Sequence, residues 1–181
     1  MRRREVLGGG LALGALWFLP LSRAVAEGEA TRLFHDVELP REALERIERS
    51  ASEWREVLPE DAWRILFRDK TEPAFSSPLD NEERDGTFVC AACHLPLASS
   101  AAKYDSGTGW PSFYRMIDAH VDTKADYKLL IPRTEYHCVR CGGHQGHVFE
   151  DGPEPTGERW CNNGLALRFV PADEPLPELR G

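Results

Sequence analysis

Two periodicities divide the chain. From Pro40 onward, Leu44, Ile47 and Ala51 recur at helical spacing between glutamates and arginines, and Trp54, Val57 and Leu58 extend the apolar stripe. Pro40 suits the start of such a helix, because its missing N–H costs nothing there. Pro59 breaks the stripe and can open a second helix, Glu60 to Phe67, with Trp63, Leu66 and Phe67 on its buried face. Lys70 to Asp85 holds Pro73, Pro78 and an Asp/Asn/Glu cluster without an apolar period, and reads as a loop. After Gly86 the pattern changes to short strand-like pieces between turns: Thr87 to Val89, Phe113, Leu129 to Ile131, Tyr136 to Val139, Val148–Phe149 and Leu165 to Val170. In the last of these, Leu165, Leu167 and Phe169 alternate with Ala166, Arg168 and Val170, as in a half-buried strand. The pattern predicts antiparallel β structure behind two N-terminal helices that serve as core packing.

Both ends read differently. Arg2, Arg3 and Arg4 precede an apolar, glycine-rich run from Val6 to Leu21, and Ala24-Val25-Ala26 is an A-x-A cleavage pattern. Arg3-Arg4-Glu5-Val6-Leu7 fits a twin-arginine export signal. The run is short for the ~20 residues of a membrane span, so the expectation is a cleaved signal over 1–26 and an exported, periplasmic protein without a stable span. A leader over 27–51, of which Glu27 to about Asp36 is mobile, a domain over 52–171 and a solvated tail over 172–181 would follow. The net charge of -8 becomes more negative once four arginines and one glutamate leave with the signal. An acidic surface repels phosphate backbones, which argues against nucleic acid as partner.

Five cysteines sharpen the picture. Cys90-Ala91-Ala92-Cys93 and Cys138-Val139-Arg140-Cys141 are two C-x-x-C pairs that together can offer four thiolates to one tetrahedral zinc ion. Gly142-Gly143 after the second pair allows the tight turn of a metal knuckle. Disulfides are the competing reading in an exported protein. A redox C-x-x-C needs the strand-to-helix junction of a βαβ unit, which neither pair has. Four sulfur ligands leave no open position, so the zinc would be structural.

Cys161 is the thiol without a local partner, and a leftover thiol is a candidate nucleophile. A small buried hydrophobe is the plain alternative. Arg159 and Asn163 lie two residues to either side, on the same face of an extended strand, and a cation there favours the thiolate. His144 and His147 are candidates to lower the thiol pKa and to deliver a proton to a leaving oxygen, or else metal ligands. Asp151 joins the set, and Trp110, between Gly109 and Pro111, sits where a core tryptophan would be unusual.

The runs TEPAFSS, TFVCAACHLPL, SGTGWPSF, RTEYHCVRCGGHQGHVFEDGPEPTG and RWCNNGLALRFVP resemble the methionine-R-sulfoxide reductase B family, over roughly Ser52 to Pro171. The resemblance implies a mainly β fold of two antiparallel sheets, a zinc-braced barrel or tent, with short helices. It implies Cys161 as nucleophile, His144 and His147 as activating and protonating groups, Asp151 and Arg159 as orienting groups, and Asn163 as the site asparagine two residues after the nucleophile. Trp110 would receive the substrate methyl group with Phe149 as a second wall, and Cys90, Cys93, Cys138 and Cys141 would hold zinc. The activity implied is reduction of the R epimer of methionine sulfoxide, peptide-bound or free, by a monomer. Trp160 stands where the family usually has tyrosine and Gly164 where it usually has serine. Thr108 replaces the resolving cysteine of many relatives, so recycling would need an external thiol or a thioredoxin-like reductant. The rival expectation is a non-catalytic binding module on the same zinc-braced fold.

Overall fold

The computed structural model describes residues 38–128 and 131–181. The predicted signal, residues 27–37 of the leader, and Leu129 and Leu130 of one predicted strand lie outside them. Among the described residues nine strands form two sheets. The smaller orders β2 (Pro96–Ser99), β1 (Gly86–Cys90) and β9 (Leu167–Pro171). The larger orders β3 (Lys103–Tyr104), β4 (Ser112–Phe113), β8 (Arg159–Asn162), β7 (His144–Phe149), β6 (Arg133–Cys138) and β5 (Val121–Asp126). Every pairing is antiparallel, as the strand-like pieces and short turns predict.

The sheets share one core. Phe88 on β1 meets Phe113 on β4 edge-on at 4.9 Å, and Tyr136 on β6 meets Trp160 on β8 at 5.0 Å. Such pairs add roughly 0.5–1.5 kcal/mol beyond the burial of their area. Two helices close the core: α1 (Ala51–Arg55) and α2 (Glu60–Arg68). On α2 the buried face is Ala62, Trp63, Ile65 and Leu66, so Ile65 replaces Phe67 in the predicted set; Phe67 is half-buried and stacks on Trp54 at 5.5 Å.

The helix predicted from Pro40 does not run through. Only a 3-10 turn forms over Arg41–Ala43, and the α-helix begins at Ala51, where Ser50 and Glu53 make a capping box. The intervening backbone bonds elsewhere: the Leu39 N–H donates to His120 Nε2 (2.9 Å) and the Ile47 N–H to the Arg140 carbonyl (2.7 Å). The strand predicted from Leu165 is likewise shortened. Gly164–Ala166 is a 3-10 turn that leaves Leu165 exposed and Ala166 buried, and β9 starts only at Leu167. Ile131 is exposed and outside any strand. The last ten residues are largely exposed, yet they are tied down: the Arg180 N–H donates to the Cys93 carbonyl (3.0 Å), and Arg140 donates to the Arg180 carbonyl (2.9 Å). Among the described residues no helix is long and apolar enough to cross a membrane.

Candidate active site

Register assembles the site. On β8, Cys161 faces His147 of β7 on one side and Ser112 of β4 on the other. Directly opposed residues of antiparallel strands share a face, so the row continues to Glu135 on β6 and Lys124 on β5. The approach of β7 to β8 depends on Gly146, where a Cβ would lie 1.8 Å from the Cys161 carbonyl oxygen. Over this row lies a cavity of about 110 Å³, lined by Cys161, His147, Trp110, Phe149, Arg133 and Asn163 among others. A larger groove of about 770 Å³, lined by Val57, Leu79 and Phe169, contains none of the predicted site residues. Chemistry, not size, distinguishes the smaller one.

Each side chain is held from behind. The Asp151 carboxylate accepts from Arg159 Nε and Nη2 at 2.8 and 2.9 Å, and the Arg159 guanidinium lies 4.2 Å over the Phe149 ring. Trp110 is half-buried rather than a core residue, and its Nε1 donates to the Glu72 carbonyl (3.1 Å). The Asn163 Nδ2 donates to the Gln145 carbonyl (3.0 Å), while its Oδ1 accepts from the Glu72 N–H (3.1 Å). Glu72 completes the turn after Asn163 by accepting the Gly164 and Leu165 N–H groups. That is why the chain curls there instead of extending. At Gly164 a Cβ would lie 1.9 Å from Ser77 Oγ, so glycine there and Ser77 fit each other.

Burial dominates the electrostatics of the thiol. It pushes the Cys161 thiol above its usual value, against the Arg159 charge and hydrogen bonds from Thr108 and Arg159 that favour the thiolate. Desolvation is why Arg159 does not win, and the paired Asp151 carboxylate adds a smaller effect by offsetting its charge. His147 is pulled down by burial, with Asp126 opposing. Its Nε2 lies 2.8 Å from Asp126 Oδ2, which Arg133 also contacts at 2.8 Å. Asp126 is held well below the usual carboxylate range, first by the Lys128 N–H, then by His147 and, after an opposing desolvation, by Arg133. His144 is buried behind the cavity rather than in its lining. Its ring packs on His147 at 5.3 Å, and its Nδ1 lies 3.0 Å from Glu135 Oε1, an ion-pair distance without hydrogen-bond alignment.

The four paired cysteines form a second centre. The Sγ atoms of Cys90 and Cys141 are 3.6 Å apart and those of Cys93 and Cys138 3.5 Å, far beyond the ~2.05 Å of a disulfide. They approach the separation that four thiolates about 2.3 Å from one tetrahedral ion adopt. All four sulfurs lie within 4.8 Å of one another and are buried, an arrangement that can hold a metal ion. The two knuckles repeat one backbone design: the His94 N–H donates to the Cys90 carbonyl and the Gly142 N–H to the Cys138 carbonyl, each at 2.9 Å. Both residues take a positive φ, easy for Gly142 and strained for His94. The clasp joins the end of β1 to the end of β6, and so one sheet to the other.

A family model described as the SelR domain matches residues 58–171, more than half of the chain. The chain belongs to the SelR-domain family. Proteins named peptide methionine sulfoxide reductase MsrB are among its relatives. That of Leptospira interrogans is 47% identical over 124 residues, 68% of this chain and 95% of the relative. That of Methanosarcina barkeri is 44% identical over 133 residues, 73% and 94% of the two chains. That of Thiobacillus denitrificans is 47% identical over 123 residues, 67% and 93%.

Within this SelR domain the structure brings together Cys161, His147, Trp110, Phe149 and Asn163 around one cavity, with Arg159 and Asp151 adjoining and His144 behind. Sequence reasoning missed Asp126, Arg133, Glu135, Glu72 and Gln145. Glu72 lies within the TEPAFSS run, a motif whose site role no spacing rule exposes. Asp126 and Glu135 emerge only from strand register.

Proposed function

We propose that this chain is a peptide-methionine (R)-S-oxide reductase. The observation that carries the reading is a half-buried thiol beside an imidazole on adjacent strands, under a cavity walled by Trp110 and Phe149. The substrate methyl group lies against the aromatic wall and the sulfoxide oxygen points to His147 and Asn163. Opposed apolar and polar walls select one epimer at sulfur, and each reductase class serves one.

Because Asp126 is an acceptor, it places the His147 proton on Nε2 and leaves Nδ1 for proton exchange. Burial keeps Cys161 a thiol until substrate fills the cavity. Its proton then passes by way of His147 to the sulfoxide oxygen as the sulfur attacks the sulfoxide sulfur. The sulfoxide sulfur gains two electrons and leaves as methionine; Cys161 loses two and holds the oxygen as a sulfenic acid. An external thiol displaces that oxygen as water, forming a mixed disulfide, and a second thiol frees Cys161. Arg159 and Asp151 orient the thiol, and His144 with Glu135 supports the His147 ring. The cysteine clasp is assigned to structural zinc held by Cys90, Cys93, Cys138 and Cys141, which supplies rigidity and no chemistry. The twin-arginine pattern supports action outside the cytoplasm, in the periplasm, and the absence of a cysteine at Thr108 supports recycling by a thioredoxin-like or small-thiol partner.

The deciding assay uses separated epimers: reduction of R sulfoxide with none of S is expected, and the reverse selectivity overturns the reading. Asp126→Asn should lower kcat about 10–100-fold. Since Asp126 raises the His147 pKa, its loss should also move the acid limb of the pH profile further down, read by kcat against pH. Thr108→Cys should place a thiol beside Cys161, because Thr108 lies near enough to that sulfur to favour its thiolate. Thiol counting after one turnover should then find an internal disulfide in the variant and none in the parent.

A further inference from the structure

Resting on that reading, we propose that the rim of the cavity is a docking surface for the flanking residues of a peptide substrate, with Phe75, Tyr127 and Ile131 selecting apolar neighbours of the oxidised methionine. At about 110 Å³ the cavity is well below the roughly 300–1,000 Å³ of sites that engulf a small ligand. It admits the sulfoxide end of the side chain, and the rest of the substrate must lie across the rim. Among the described residues the three most exposed large apolar side chains are Phe75 at 72%, Tyr127 at 75% and Ile131 at 77%, and each stands within two residues of a group that lines the cavity or bonds to its lining.

One continuous segment connects them to the chemistry. It begins at Asp69, whose carboxylate accepts from Lys128 Nζ (2.7 Å) in the β5–β6 loop. It passes Thr71 in the cavity lining and Glu72, which holds Trp110, and reaches Phe75. The Phe75 N–H donates to the Gly109 carbonyl (2.7 Å), beside Trp110. On the β5–β6 side, Tyr127 follows Asp126 and Ile131 precedes Arg133 by two; Asp126 contacts His147 and Arg133 contacts Asp126 in turn. Phe75 also has φ 61°, a conformation bulky residues rarely adopt. Strain of this kind gathers at ligand clamps, and here it presents an aromatic ring to solvent beside the methyl-binding tryptophan.

The test compares three substrates on the intact domain: an R-sulfoxide peptide with leucine on both sides, the same peptide with serine, and free methionine R-sulfoxide. The parent should prefer the leucine peptide over the serine peptide by about 10-fold in kcat/KM, chiefly through KM. Phe75→Asn, which accepts a positive φ without the ring, and Tyr127→Ser should each reduce that ratio to about 3-fold or less. Equal parent rates on the two peptides would overturn the rim proposal while leaving the reductase reading intact. A Phe75→Asn loss of the same proportion on free sulfoxide would also overturn it, since Phe75 would then act by holding the Trp110 loop. No reduction of any substrate by the parent would instead defeat the reading on which the proposal rests.

Discussion

Cys161→Ser is expected to lower reduction of R methionine sulfoxide by at least about 10⁴-fold, as loss of a covalent nucleophile does elsewhere. The physical reason is the fate of the oxygen. A sulfur atom can carry it as a sulfenic acid, whereas a serine oxygen has no comparable stable oxidation state. Fold should survive the change, because Cys161 is half-buried and serine preserves its shape on a strand paired on both sides. The measurement is a single-turnover assay beside a thermal melt. Mass analysis of the parent after one equivalent of substrate and no reductant should place one added oxygen atom on the peptide containing Cys161. Activity persisting in Cys161→Ser, at parent stability, would remove the mechanism.

Cys138→Ser, or removal of the metal by a chelator, should lower the melting temperature by at least about 10 °C. Structural zinc sites carry about 10–16 kcal/mol of apparent binding free energy, comparable to the roughly 5–15 kcal/mol of total stability of a domain. A loss of about 5 kcal/mol, at roughly 2–4 °C per kcal/mol, gives at least that shift. The clasp ties β1 to β6, and the β6–β7 turn is the knuckle Cys138 to Gly143, immediately before the strand that carries His147. Activity should therefore fall together with the fold rather than ahead of it. Melting followed by circular dichroism, with metal content measured on the same sample, checks this. Equal melting temperatures for metal-loaded and metal-free protein would show that the sulfur cluster does not brace the sheets.

Much of this was legible in the chain, and the missing parts share a cause. The C-x-x-C pairs, the unpaired Cys161, the change from helical to strand-like patterning and the motif runs are local, so composition and spacing suffice to read them. The helix predicted from Pro40 failed because its apolar stripe reports burial, and the backbone of Leu39 and Ile47 found partners at His120 and Arg140, about eighty and ninety residues away. Leu165 alternates as a strand residue should, but the Glu72 carboxylate captures the N–H groups of Gly164 and Leu165 and turns the chain. The thiolate expected beside Arg159 was displaced toward the thiol because burial and the Asp151 pairing are three-dimensional facts.

By itself the sequence singled out the candidate groups: one unpartnered thiol, two histidines, a loop tryptophan and four cysteines in pairs. Those identities are set by covalent chemistry and need no partner to be read. Tertiary structure alone decided that His147 rather than His144 meets the cavity, that Asp126 stands at its Nε2, and that Phe75 is exposed beside the Gly109 carbonyl. Each of these depends on strand register and loop packing, which bring together residues whose separation along the chain contains no trace of their contact.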